Sequence, residues 1–258
     1  MPLKPSIKVG DVFQTNNSGK CIVVEYANAK NIVVKFIKHD YVLIKTLGSS
    51  LKAGRVENPY YPSVYNKGFV GKGKYKPSTH KKLYTCWTGM YRRCYDPVFQ
   101  SNNPTYVGCK VHKNWHNFQQ FCEWAIKQPN FDKPGFCLDK DLRKFGNKMY
   151  SPSFCSFVPN KINVIFSGSK VGTSKFPGVW YNAQCIKPYY VRYNKKNYYF
   201  SKSKSAFKFH LKLHLKYISK LANKFKSVLH KDIYSNLTDL NEEQLGEILF
   251  LFYKERRS

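Results

Sequence analysis

FCLDKDLRKFGNKMYSPSFCSFVPNKIN, residues 136–163, is the stretch that decides how this chain is built at its centre. Phe136-Cys137-Leu138 is apolar and runs into Asp139-Lys140-Asp141, a short strand closing on carboxylates. Gly146-Asn147 and the turn Tyr150-Ser151-Pro152 interrupt it, residues 155–158 read as a second strand, and Asn163 falls where a helix starts. Strand, loop, strand and helix, with a carboxylate on the first strand and a carboxamide on the helix, suit one hard divalent cation. Mg²⁺ takes one or two protein oxygens and completes its shell with water and phosphate oxygens. Such an ion polarises a scissile phosphodiester and stabilises the leaving alkoxide. An acidic hairpin with an Asn cap has the same spacing and needs no metal.

On the N-terminal side, residues 83–94 and 115–126 repeat apolar residues at helical spacing, with Trp87, Met90, Tyr91 and Cys94 on one face of the first. Trp87, Trp115 and Trp124 read as core. Before them, residues 59–82 are rich in Pro, Gly, Tyr and Lys, with Gly68, Gly71 and Gly73 denying regular structure. This segment reads as a flexible basic arm that tracks phosphates through Lys72 and Lys74, or as a solvated linker. Residues 20–26, 31–37 and 41–45 are β-branched runs separated by turn residues, which predicts about five short strands in a small antiparallel barrel. On the C-terminal side, residues 178–181, 189–193 and 198–200 predict three strands, the last two joined through Asn194-Lys195-Lys196-Asn197. A long amphipathic helix follows, with Phe207, Leu211, Leu215, Ile218, Ala222, Phe225 and Leu229 on its buried stripe. A last helix over residues 241–255 carries Glu242, Glu243 and Glu247. The fold class expected is α+β, in four parts: a β barrel over 1–62, a basic arm over 63–82, a helical and ββα domain over 83–170, and a three-strand sheet on a long basic helix over 171–258.

Charge defines the partner. Forty-four Lys and Arg against 15 Asp and Glu give a formal net charge of +29. Between Asp141 and Asp232 there is no acid, while 19 Lys and Arg occur. Soluble surfaces ordinarily mix signs, and a stretch of one sign points to a polyanion, whose condensed counterions are released on binding. Double-stranded DNA is the expected partner, met by Lys72, Lys74, Lys144, Lys148, Arg192, Lys195, Lys196, Lys204, Lys208, Lys212 and Lys216. An acidic membrane surface would attract the same charge, but no stretch approaches the roughly 20 apolar residues of a spanning helix. The first ten residues carry lysines without a following apolar core, so a cytoplasmic, non-secreted protein is expected. Eight cysteines form no C-x-x-C pair and read as reduced thiols. A zinc site from Cys94, Cys109 and Cys137 lacks the usual tight spacing, so no structural zinc and no small-molecule cofactor are expected. His210 and His214 are four residues apart on the basic helix without a third ligand, and read as phosphate-facing or surface residues.

Several strings taken together resemble a known family. They are Trp87-x-x-Met90-x-x-Arg93-Cys94, Trp115-x-x-Phe118-x-x-Phe121, Leu138-Asp139-Lys140-Asp141, Gly146-Asn147-x-x-Tyr150-Ser151-Pro152-x-x-Cys155 and Phe157-Val158-Pro159-x-x-Ile162-Asn163. The family is that of phage-encoded HNH-type endonucleases of the free-standing homing kind. Gly68-Phe69-Val70-Gly71-Lys72-Gly73-Lys74-Tyr75 and the β region before it also resemble the N-terminal part of many such proteins. Gly178-Val179, the three strands and the lysine-rich helix resemble the APETALA2-type DNA-binding fold often appended to them. The resemblance runs from about Val9 to Leu229. It implies a ββα-metal site with one Mg²⁺ or Mn²⁺, Asp139 and Asn163 as its ligands, and Asp139, Lys140 and Asn163 as the catalytic set.

Two departures stand out. Lys140 occupies the place of the general-base His, and the middle Asn that braces the loop has no counterpart, Ser153-Phe154 standing in that neighbourhood. An ammonium has no lone pair, and a Lys pKa near ~10.4 keeps it charged at neutral pH. Lys140 is left with a phosphate contact, or with a base role if desolvation lowers its pKa by several units. His112 and His116 are substitute bases. Three classes of function follow: a metal-dependent DNA endonuclease or nickase, a nuclease-derived DNA-binding protein without cleavage, and an RNA- or ribosome-associated factor, which fits the charge but not the nuclease-like strings.

Overall fold

The computed structural model describes residues 6–38, 43–166 and 174–254 of a mixed helix and strand chain. Two compact units emerge, one of Met1–Tyr91 with Lys113–Glu123, the other of Arg92–His112 with Trp124–Ser258.

In the first unit, strands β1 (Val12–Gln14), β2 (Lys20–Asn28), β3 (Asn31–Phe36) and β4 (Leu43–Thr46) form an antiparallel sheet in the order β1-β2-β3-β4. Alternation sends Cys21, Val23, Ile32, Val34 and Phe36 to one face, where they bury with Ile7, Leu51 and Val56. Leu51 comes from a one-turn helix α1 (Gly48–Lys52), where the sequence reads as a turn. The described residues hold four strands rather than five, and β1 and β4 form no ladder with each other. Residues 41 and 42 of the expected third run lie outside the described residues.

The glycine-rich segment has no regular structure, yet it is not a loose arm. Phe69 N–H donates to the His116 carbonyl and Phe118 N–H donates to the Phe69 carbonyl. The buried Gln119 amide donates to the carbonyls of Val70 and Tyr75 and accepts from Tyr75 N–H. Gly68 lies so close to the rings of Trp87 and Tyr91 that a Cβ would come within 2.8 Å of Tyr91. A Cβ on Gly73 would collide with the Gln119 side chain. These glycines are required by close approach, which corrects the expectation of flexibility. Lys72 and Lys74 are exposed on a pinned loop.

Helices α2 (Lys81–Tyr95) and α4 (Phe118–Ala125) bury the faces that their periodicity predicts, with Trp87, Met90, Tyr91, Phe118 and Phe121 fully enclosed. In the second unit, α3 (Pro97–Asn102) starts on Asp96, whose carboxylate accepts from Phe99 N–H as an N-cap. Strand β5 (Lys110–Val111) pairs in parallel with β7 (Met149–Tyr150), and β6 (Phe136–Asp139) pairs antiparallel with β8 (Ser156–Pro159). The chain leaves β8 directly into α5 (Asn160–Asn163), which packs on both β6 and β8.

Strands β9 (Trp180–Tyr181), β10 (Tyr189–Tyr193) and β11 (Lys196–Phe200) form a sheet in the order β11-β10-β9. Asn194 and Lys195 both have positive φ, so the β10–β11 hairpin closes on a two-residue loop, tighter than the four-residue turn expected. Helix α6 (Ser203–Lys224) packs on this sheet. It stops at Lys224 and gives way to a 3₁₀ turn, so Phe225 and Leu229 lie beyond the helix that the sequence extends through them, while both pack on the same core as the stripe. Two more helices follow, α7 (Lys231–Thr238) and α8 (Glu242–Lys254); α7 has no counterpart in the sequence reading, and residue 255 of the expected last helix lies outside the described residues. One core joins Leu142, Val158 and Ile162 to Val191, Ala206, Ile218, Ile233 and Leu245.

Candidate functional site

The β6–β8–α5 unit carries Asp139 and Asn163. Asp139 ends β6 opposite Ser156 of β8 and is 8% exposed. Its Oδ1 accepts from the backbone N–H of Asp141 and of Leu142, at 2.9 and 2.7 Å, a turn that sends the chain away from the strand. Oδ2 takes no hydrogen bond from the described residues. Burial, then the neighbouring Asp141 carboxylate, pushes the Asp139 carboxyl up to about 7 against the pull of the two N–H donors and Lys140. Asn163 is half-buried at the end of α5, and its carboxamide makes no hydrogen bond to the described residues.

Lys140 is 4% exposed. Its Nζ donates to the Asp141 carboxylate and, at 2.7 Å, to the Asn147 carbonyl. Burial opposes its charge, but Asp141, with Cys109 and Asp139, outweighs burial and raises its pKa. The condition for Lys140 to act as a base, a lowered pKa, is therefore not met. Asn147 closes the same loop: its Nδ2 donates to the carbonyls of Lys140 and Met149, at 2.8 and 2.7 Å. Asn147 thereby braces the loop that follows Asp139, a role that its position in the sequence does not announce. Beyond it, Asn236 of α7 donates to the carbonyls of Leu142 and Arg143, and Arg143 pairs with Asp232 at 2.9 Å. The loop after Asp139 is thus held from both sides.

The second arrangement is the uncovered face of the C-terminal sheet. Val191 is in the core, and Tyr198 and Phe200 pack on Phe209 of α6, so the alternate residues face away from the helix. There the register sets Trp180, Tyr190 and Tyr199 side by side across three strands, with Arg192 beside Asn197. Ring centroids lie 6.5 Å apart for Trp180–Tyr190 and 5.6 Å for Tyr190–Tyr199. Lys195 lies in the hairpin loop at the end of this sheet, while Lys196, paired with Tyr193, is exposed on the α6 side by the same alternation. The sequence reading named Arg192, Lys195 and Lys196 but not the aromatic row. Its signal was present in the alternation of Tyr190 and Arg192 with the apolar Val191.

The remaining predicted DNA contacts are dispersed. Lys204, Lys208, Lys212 and Lys216 are exposed on α6, outside the aromatic row. Lys144 is exposed and lies over the Phe154 ring, while the Lys148 ammonium donates to the Thr105 carbonyl. His112, just after β5, lies in the unit that holds Asp139, and His116 in the other. His210 and His214 are not surface residues. Burial, then His214, pushes His210 down to about 4, and burial lowers His214 against its bond to the Ile165 carbonyl. Burial pushes the Cys94 thiol up to about 12 and that of Cys137 up to about 11.

Among the described residues no three His, Cys, Asp or Glu side chains are grouped to hold a metal. No helix among them is long and apolar enough to cross a membrane. Comparison of the chain with models of known protein families, with curated proteins and with solved structures finds no match.

Proposed function

We propose that the chain is a DNA-binding endonuclease of HNH type that hydrolyses phosphodiester bonds with one Mg²⁺ or Mn²⁺. The observation that carries this is the strand–strand–helix unit with Asp139 on β6 and Asn163 on α5, where Asp139 Oδ2 and the Asn163 carboxamide oxygen take no hydrogen bond from the described residues. The donor set fits a hard cation: one carboxylate and one amide oxygen meet the small protein share of a Mg²⁺ shell. A carboxyl whose burial raises its pKa also gains from a counter-ion. Bound there, the cation supplies Lewis-acid polarisation of the scissile phosphate and neutralises charge on the leaving oxygen.

The chain's own residues do the rest. Leu142 and Asp141 N–H groups orient the Asp139 carboxylate, and Lys140 and Asn147 fix the loop that carries them. Lys140 thus has a structural, charge-balancing role, and His112 is the residue we assign as base. The uncovered sheet face binds duplex DNA. Arg192 and Lys195 contact phosphates or base edges, and Trp180, Tyr190 and Tyr199 supply flat apolar surface.

Lys140 also favours a second reading, a nuclease-derived DNA-binding protein without cleavage, because a histidine base is missing from its usual position. Supercoiled plasmid with Mg²⁺ or Mn²⁺ separates the two. Nicking or linearisation by the wild type and none by Asp139→Ala supports the enzyme. Intact plasmid with both metals, together with retained DNA binding, leaves the binding protein.

A further inference from the structure

We propose that the exposed lysine row of α6, with the groove beside it, holds the sugar–phosphate backbone of a second DNA segment, so that one chain engages two duplex segments at once. This rests on the sheet face as the first DNA contact. Phe209 meets the rings of Tyr198 and Phe200, and the His210 ring lies against Gly178, which marks the side of α6 turned toward the sheet. At ~100° per residue, Lys204, Lys208 and Lys212 lie about 170°, 150° and 110° around the helix from the mean of those two positions. They point away from the layer whose opposite surface carries Trp180, Tyr190 and Tyr199. A straight duplex seated on that surface does not reach them.

The row does not end in open solvent. Toward the C-terminal half of α6 it runs into a groove of about 450 Å³, lined by Lys216, Ser219, Lys220 and Asn223 of α6 and by Leu237 and Thr238 of α7. Lys216 and Lys220 bring two ammonium groups to this space and no carboxylate is among its lining residues, while the Asn223 amide is bonded to Ser219 and Tyr234 and the Thr238 hydroxyl to the Tyr234 carbonyl. Exposed cations are the chemistry of a phosphodiester backbone, which is bound without regard to sequence. From Lys204 to Lys220 the lysines recur every fourth residue over about 24 Å, each step turning ~40° further around α6, so that Lys216 and Lys220 lie about 70° and 30° from the sheet-facing direction and reach the groove rather than the far side of the helix. An acidic side chain anywhere along it would oppose that partner, and the described part of α6 has none.

The test uses the full chain, a biotinylated duplex on beads and a fluorescent duplex of unrelated sequence. Wild type should retain the fluorescent duplex on the beads at low salt. Lys208→Gln, Lys212→Gln and Lys216→Gln together should reduce that retention at least about tenfold, while affinity for one duplex, read by anisotropy, falls less than about threefold. These are exposed side chains, so folding is not at issue. Bridging that persists in the triple variant overturns the proposal, as does a single-duplex affinity that falls as far as bridging does. Wild type that binds one duplex but retains no second also overturns it and leaves the sheet interface standing. Wild type that binds no duplex at all defeats the DNA reading itself. Retention of a fluorescent single-stranded RNA in place of the duplex overturns the choice of partner.

Discussion

Acidification from about pH 7.5 to about pH 5 should weaken the second unit through His210. Its Nε2 is buried without a partner, Gly178 closes over the ring, and His214 stands one turn along the helix at 5.5 Å. Folding therefore holds His210 neutral down to a pKa of about 4, whereas the unfolded chain protonates it near the ordinary 6.5. The folded pKa is the depressed one. Above about 6.5 neither state takes up the proton and His210 contributes no pH dependence; between about 6.5 and 4 the unfolded state binds more protons, and stability falls with pH. At about 1.4 kcal/mol per unit, the loss at pH 5 comes to about 2 kcal/mol. His214, also lowered, adds in the same direction. Urea unfolding at the two pH values, in wild type and in His210→Leu, isolates the effect as a difference of differences. The variant should lose about 2 kcal/mol less than wild type on acidification, whatever its stability at neutral pH. Equal losses in the two proteins would refute the burial of a neutral imidazole at this position.

Asn147→Ala removes a buried amide that closes the loop after Asp139 and leaves the Lys140 and Met149 carbonyls without that donor. It should cost about 1–3 kcal/mol in chemical denaturation and lower plasmid cleavage, while DNA affinity is retained. Gly68→Ala drives a methyl into the Trp87 and Tyr91 rings and should destabilise the first unit by about 1–3 kcal/mol, read by thermal unfolding.

The parts of the fold legible in the sequence are those written in neighbouring residues. Strands β6 and β8 follow from short apolar runs between turn residues, and the buried faces of α2 and α4 follow from periodicity; α5, read as starting at Asn163, instead runs Asn160–Asn163 and ends there. The parts that were not legible depend on partners far along the chain. The glycine-rich segment reads as flexible until Gln119, 44 residues beyond Tyr75, is seen to pin it. Lys140 reads as a base or a phosphate contact because nothing adjacent announces that the Asn147 carbonyl and the Asp141 carboxylate will bind its ammonium. The grip of α7 on the Asp139 loop spans 94 residues between Asn236 and Leu142 and leaves no local trace. Histidines four apart on a helix look the same whether they face solvent or core; the close approach of Gly178 to His210 distinguishes the two.

The nuclease, the inactive binder and the bridging proposal all require that the chain bind duplex DNA. The direct measurement is the affinity of the full chain for a short duplex as salt is raised, in wild type and in Arg192→Gln with Tyr190→Ala. Each phosphate neutralised contributes about 0.9 to the slope of log K against log salt, so several contacts should give a slope of several units. The double variant should bind at least about tenfold more weakly, the loss of one charge contact and one flat aromatic surface. A wild-type slope near zero, or a double variant that binds as tightly as wild type, would contradict duplex binding through the uncovered sheet face.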